Sequence, residues 1–223
     1  MGFLDDLKRQ ADEAKARLNT DTGQLDRNAM LADVACKAAS SYFSTLVQQL
    51  NVLQPRSQVT YRLDKRNAFA DLPLSEFRAD ARRKKLRGAD VFDHVALRWQ
   101  LKSGTRLSLV KNFLPDIEQI ESRLKRSGAQ FHAETVRDPE TNKLHEMRYD
   151  LVADFEAAIN ITPDHDNARL RFELVNLDGF ETVTIEFAAF EVGTTRMDEL
   201  ARWIMGEPHG FLTGGQGLRR VEA

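Results

Sequence analysis

A chain of 223 residues with 42% hydrophobic and 30% charged side chains can build one generous core, which excludes wholesale disorder and a membrane-embedded fold. Its 32 Lys and Arg against 34 Asp and Glu leave a formal charge of −2, so neutralising a nucleic-acid backbone is not its main task, and any basic patch is local. The single cysteine, Cys36, rules out an intrachain disulfide and fits a reducing compartment. With a charged start and no apolar run approaching the ~18 residues of a membrane span, the expectation is a cytoplasmic protein without stable membrane insertion.

The spacing predicts a first helix over about 3–18, where Leu4, Leu7, Ala11, Ala14 and Leu18 recur alternately after three and four residues. Its other faces carry charges of both signs, which suits an arm docking on protein better than a lipid-seeking helix. "NTDTGQ" then reads as a break. The implied organisation is a helical arm over 1–22, one α+β domain over 23–210 and a loosely ordered, glycine-rich tail over 211–223.

A second helix is expected over about 26–53, stopped by Pro55. Its polar residues form one thin stripe (Asp33, Lys37, Ser40, Ser44, Gln48, Asn51), so it should be buried on more than one side. Cys36 lies in the apolar girth and reads as an inert packing thiol.

From Ser57 the apolar period shortens to two, beginning with Val59, Tyr61 and Leu63. The stretch "DARRKKLRGAD" interrupts it. Over Ser75–Arg87 a helix is expected, with acids early, bases late and Gly88 as its stop, the charge order the helix dipole favours. The alternation of Phe77, Ala79 and Ala81 keeps a strand open as the other reading, in which the bases protect a sheet edge.

Three hairpins follow from matching apolar phases. A three-residue loop, Lys102 to Gly104, pairs Trp99 with Leu107 and Leu97 with Leu109. The loop "DPETN" pairs Ala133 with Met147 and Phe131 with Tyr149. Asp178-Gly179 pairs Leu174 with Val183, Phe172 with Ile185 and Leu170 with Phe187. An inserted helix begins at Pro115, buries Ile117, Ile120 and Leu124, and ends before Gly128. A last helix has Thr195 and Asp198 spaced as a capping box, with Leu200, Trp203 and Ile204 inward. The fold class is therefore α+β: a long-stranded, strongly curved antiparallel sheet of about six to eight strands on a long N-terminal helix.

The chemistry is sparse. The five histidines are scattered over strand faces, turns and tail, no phosphate loop or nucleophile elbow is present, and Asp164, His165 and Asp166 read as a hydrophilic turn. No metal or cofactor is expected, and an enzyme is the third reading. The leading reading is a non-catalytic, self-associating interaction module, with partner contacts at Leu4, Leu7, Leu18, Met30 and Val34. The alternative is a carrier or sensor of an apolar ligand held by Tyr42, Phe43, Trp99, Tyr149, Phe155, Phe172 and Trp203. If Arg82, Arg83, Lys84, Lys85 and Arg87 meet a partner, the charge balance points to a small anionic patch rather than nucleic acid.

Overall fold

The computed structural model describes the backbone of residues 3–222, and the side chains of Lys8, Gln10 and the residues from 21 onward. Helix α1 (Phe3–Leu53) comes first. Strands β1 (Tyr61–Arg62) and β2 (Ala68–Phe69) form a small separate pair. Then come β3 (Leu74–Leu86), β4 (Ala89–Lys111), α2 (Leu114–Arg126), β5 (Phe131–Arg137), β6 (Leu144–Asp164), β7 (Arg169–Val175), β8 (Glu181–Ala188), α3 (Thr194–Ile204) and β9 (Gln216–Glu222). The main sheet is antiparallel, seven-stranded and open, in the order β3-β4-β6-β7-β8-β9, with β5 also paired to β6. No helix among the described residues is long and apolar enough to cross a membrane.

Helix α1 covers the inner face of the sheet through Ala29, Ala32, Cys36, Ala39, Phe43, Leu46 and Leu50, all buried and alternately three and four residues apart. Small residues at the N-terminal end of this stripe let helix and sheet approach closely, while Phe43 and the two leucines fill the wider end. The break expected at "NTDTGQ" does not occur, because α1 runs straight through it. One glycine and a few short polar residues weaken a helix by at most about 1 kcal/mol each. Gln24, the last residue of that segment, also donates to Asn28 (2.9 Å) and accepts from Arg27 (2.8 Å) at helical spacing.

The basic segment is strand, not helix. Phe77 stacks on Trp99 at 5.6 Å between centroids, and Ala79 and Ala81 stand opposite Leu97 and Val95, so the period-two pattern prevails over the dipole-matched charge order. The strand leaves by a two-residue turn in which Arg87 (φ 48°) and Gly88 (φ 84°) are both left-handed, as a primed hairpin turn requires. At its other end the side-chain amide of Asn51 donates to the Phe77 carbonyl, while the Phe77 N–H donates to the Asn51 side-chain oxygen, both at 3.0 Å. These bonds tie the end of α1 to an irregularity in β3.

The hairpin expected at Lys102–Gly104 is instead a bulge within one 23-residue strand. Both arms of β4 pair with β6, Leu101 opposite Phe155 and Leu107 opposite Leu151. The Asp154 carboxylate accepts the Ser103 N–H (2.9 Å) and the Gly104 N–H (2.8 Å) and so satisfies the backbone the bulge frees, with Gly104 at φ 65°. Between these two pairs β4 carries two more residues than β6, and an even excess keeps every apolar side chain on its own face.

The "DPETN" hairpin forms, but its register sits two residues away from the expected one, with Ala133 opposite Tyr149 and Phe131 opposite Leu151. Asp138 accepts from the backbone of Glu140 and Thr141, closing a longer loop. The third hairpin has the expected register throughout: Leu174 with Val183, Phe172 with Ile185 and Leu170 with Phe187.

Beside β6, strands β5 and β7 leave an interval between them. It is closed by Glu156 N–H donating to the Ser127 carbonyl (2.6 Å) and Val152 N–H donating to that of Gln130 (3.4 Å). Asn176, 1% exposed and left-handed at φ 59°, completes the closure. Its amide donates to the carbonyls of Glu156 (2.7 Å) and Arg126 (3.4 Å), and its own carbonyl accepts from Tyr61 Oη (2.9 Å). Helix α2 buries Ile117, Ile120 and Leu124 as expected.

Helix α3 buries Leu200, Trp203 and Ile204, also as expected, but the capping box is absent. The N-cap is Gly193, and Asp198 accepts instead from Tyr42 Oη on α1 (2.7 Å). The segment expected to be loose is ordered: Phe211 is fully buried, and β9 pairs with β8 to become an edge of the sheet.

Candidate functional site

The leading surface is the side of α1 turned away from the sheet. A helix advances about 100° per residue, which puts Met30 and Val34 roughly half a turn from the buried stripe. Met30 is 62% exposed, Val34 60% and Leu31 45%. This side continues into a groove of about 520 Å³ between α1 and α3, where the small residues Ala38, Ser41 and Thr45 face Thr194 and the Tyr42–Asp198 hydrogen bond forms part of the wall. Burial, and then the bond to Asp198, push the Tyr42 hydroxyl well above its usual range, so it stays a neutral donor. Phe190, in the short 3-10 turn Ala189–Glu191, is 83% exposed.

Of the partner contacts expected from the sequence, Met30 and Val34 are thus placed together on the free side. Leu4, Leu7 and Leu18 lie outside the residues whose side chains are described. Leu31 and Phe190 were not singled out by the sequence pattern. Leu31 was one of many apolar residues around the helix, and Phe190 follows the β8 alternation without a signal of its own.

The basic strand is largely paired within the molecule. The Arg83 guanidinium reaches Asp90 (3.0 Å) and Asp33 of α1 (3.4 Å), and sits over the Phe92 ring at 4.4 Å from its centroid. Lys84 pairs with Asp93 at 2.9 Å, and its hydrogen bond holds the Asp93 carboxyl below the usual range. Arg87 bridges Asp166 (2.7 Å) and Asp26 (3.4 Å) and donates to the Leu25 carbonyl, fastening the β3–β4 turn to α1 and to the turn after β6. Lys85 approaches Asp90 at 3.9 Å. Arg82 alone of the five makes no ion pair among the described residues. This network fixes the edge strand to the helix, although at such exposure each pair on its own contributes little.

The aromatic set is packed rather than assembled around a space. Phe43, Tyr149, Phe155 and Phe172 are fully buried, and Trp99 and Trp203 nearly so. Phe155 contacts the rings of Tyr61, Phe69 and Phe180, whereas Phe172 contacts those of Phe187 and Phe211, so the two phenylalanines have different ring neighbours within one core. Trp203 donates to Asp178 (2.7 Å) and stacks on His209, whose burial lowers its basicity. Only Tyr42 of this set borders the α1–α3 groove.

Burial pushes the Cys36 thiol up to about 12, aided by the Asp33 charge, so it is no thiolate at neutral pH. Among the described residues no three His, Cys, Asp or Glu side chains come together as a metal cluster. No family model matches the chain, and no curated protein or solved structure matches it.

Proposed function

We propose that the chain is a non-catalytic protein-interaction module that associates with a second copy of itself through helix α1. One observation carries the reading: Met30, Leu31 and Val34 are bare on a helix whose opposite side is buried on the sheet from Ala29 to Leu50. Exposed apolar residues grouped on one helix face are a signature of docking rather than of chance. The helix also suits the role by its reach, since 51 residues at 1.5 Å each extend about 76 Å.

The test is size-exclusion chromatography with light scattering on the full chain and on a variant carrying Met30→Glu and Val34→Glu. The wild-type chain is expected at twice the 25.4 kDa monomer mass, and the variant at the monomer mass with unchanged far-UV circular dichroism. A monomeric wild-type chain at micromolar concentration, or a variant that stays dimeric, overturns the reading.

A further inference from the structure

Three arginines that make no ion pair among the described residues, Arg126, Arg171 and Arg219, gather far from the conspicuous basic run, at the outer face of the sheet. There, β7, β8 and β9 floor a groove of about 420 Å³. Arg171 rises from β7, Arg219 from β9, and Arg126 from the last turn of α2. Register places Thr184 between Glu173 and Arg219, and Thr182 between Val175 and Val221, so the two threonines form the centre of the floor.

None of the three guanidiniums has a carboxylate partner among the described residues. Arg126 spends one donor, on the Glu222 carbonyl at 3.4 Å. The threonine side chains likewise make no hydrogen bond among the described residues.

The nearby carboxylates are already engaged. Arg171 stands directly opposite Glu186, as its register predicts, yet the Glu186 carboxylate is taken by Arg169 at 3.4 Å. Glu173 accepts from the Asn160 amide at 3.3 Å. Counting Arg126, Arg169, Arg171 and Arg219 against Glu173 and Glu186 leaves this patch at +2 on a chain of net charge −2. Unpaired cations gathered in a groove cost electrostatic energy unless an anion meets them.

We propose that this groove binds a small, multiply charged phosphate-bearing anion. Three guanidiniums and two hydroxyls supply donors from several directions, which suits tetrahedral phosphoryl groups; a lone planar carboxylate is satisfied by one arginine fork. Strands β7 and β9 are about 10 Å apart across β8, within the combined reach of two arginines toward adjoining phosphoryl groups. The acids around the groove and the negative whole-chain charge disfavour a long polyanion.

Isothermal titration of the full chain with pyrophosphate at low salt is the test, with citrate and a single-stranded oligonucleotide as comparison ligands. Pyrophosphate is expected to bind, and Arg171→Gln or Arg219→Gln to weaken it by about tenfold or more with the fold intact by circular dichroism. Arg98→Gln, on the same sheet face but paired with Glu156, is expected to leave binding unchanged. Absence of pyrophosphate binding, an equal loss in the Arg98 variant, citrate binding as tight as pyrophosphate, or binding of the oligonucleotide alone would each overturn the proposal.

Discussion

Replacing Phe211 with alanine tests whether the C-terminal segment belongs to the core. The ring is fully buried and packs edge-on against Phe172 (5.4 Å between centroids, 71°) and Phe187 (5.3 Å, 69°), with Trp203 at 5.9 Å. Truncating a buried phenylalanine costs about 3–5 kcal/mol, and the edge-to-face pairs lost here place this site above the middle of that range. Collapse around the cavity is restricted. Arg196 holds the segment by donating to the Phe211 and Thr213 carbonyls, both at 2.7 Å, and a Cβ on Gly215 would come within 2.2 Å of Ile185. In a domain of this size about 4 kcal/mol corresponds to roughly 8–16 °C in melting temperature. Thermal and urea unfolding followed by circular dichroism read the change, with Leu218→Ala, 51% exposed on β9, as a control expected within about 0.5 kcal/mol. A loss below about 1 kcal/mol for Phe211→Ala would refute the docking of this segment.

Two further outcomes follow from the polar interior. Asn176→Asp keeps shape and tolerance of the left-handed backbone but turns a carboxylate oxygen toward the Glu156 and Arg126 carbonyls. A drop of about 3 kcal/mol is expected in urea unfolding at pH 7, with partial recovery in acid as the group protonates. Burial alone would raise the Asp64 carboxyl. Bonds from Lys111 (2.8 Å) and from the N–H groups of Asn67 (2.7 Å) and Arg66 (2.8 Å) outweigh this and hold it at about 2, against an ordinary 3.8. A depressed folded value means its stabilisation is complete above about pH 4 and fades as pH falls toward 2. The amount is about 2 kcal/mol, and unfolding midpoints across that window should lose this component of the slope in Asp64→Asn.

Period and parity explain which parts of this fold were legible in the sequence. The apolar alternation of Leu170, Phe172 and Leu174 against Val183, Ile185 and Phe187, joined by a short turn, admits one in-phase pairing, and that pairing forms. At "DPETN" a slip of two residues leaves every side chain on its own face, so phase alone does not choose between the registers. The same ambiguity hides the bulge at Ser103–Thr105. A chain that turns back and one that runs on with two extra residues both keep Leu101 and Leu107 inward, and the deciding contact, the Asp154 carboxylate on two backbone N–H groups, is fifty residues distant. In the basic segment the charges fitted a helix end, but their acidic partners come from α1, β4 and the turn after β6, which local sequence does not bring together. The outer-face arginines gave no signal because 126, 171 and 219 are remote along the chain.

The unbroken helix carries one more consequence. Had residues 19–24 formed a loop, the gain or loss of a single codon there would be absorbed locally. In a continuous helix the same event rotates everything before it by about 100° relative to the sheet, and moves it by about 1.5 Å. Length in this segment is therefore coupled to direction, and insertions or deletions that preserve the phase of the helix on either side are those that add or remove whole turns, about seven or eleven residues at a time.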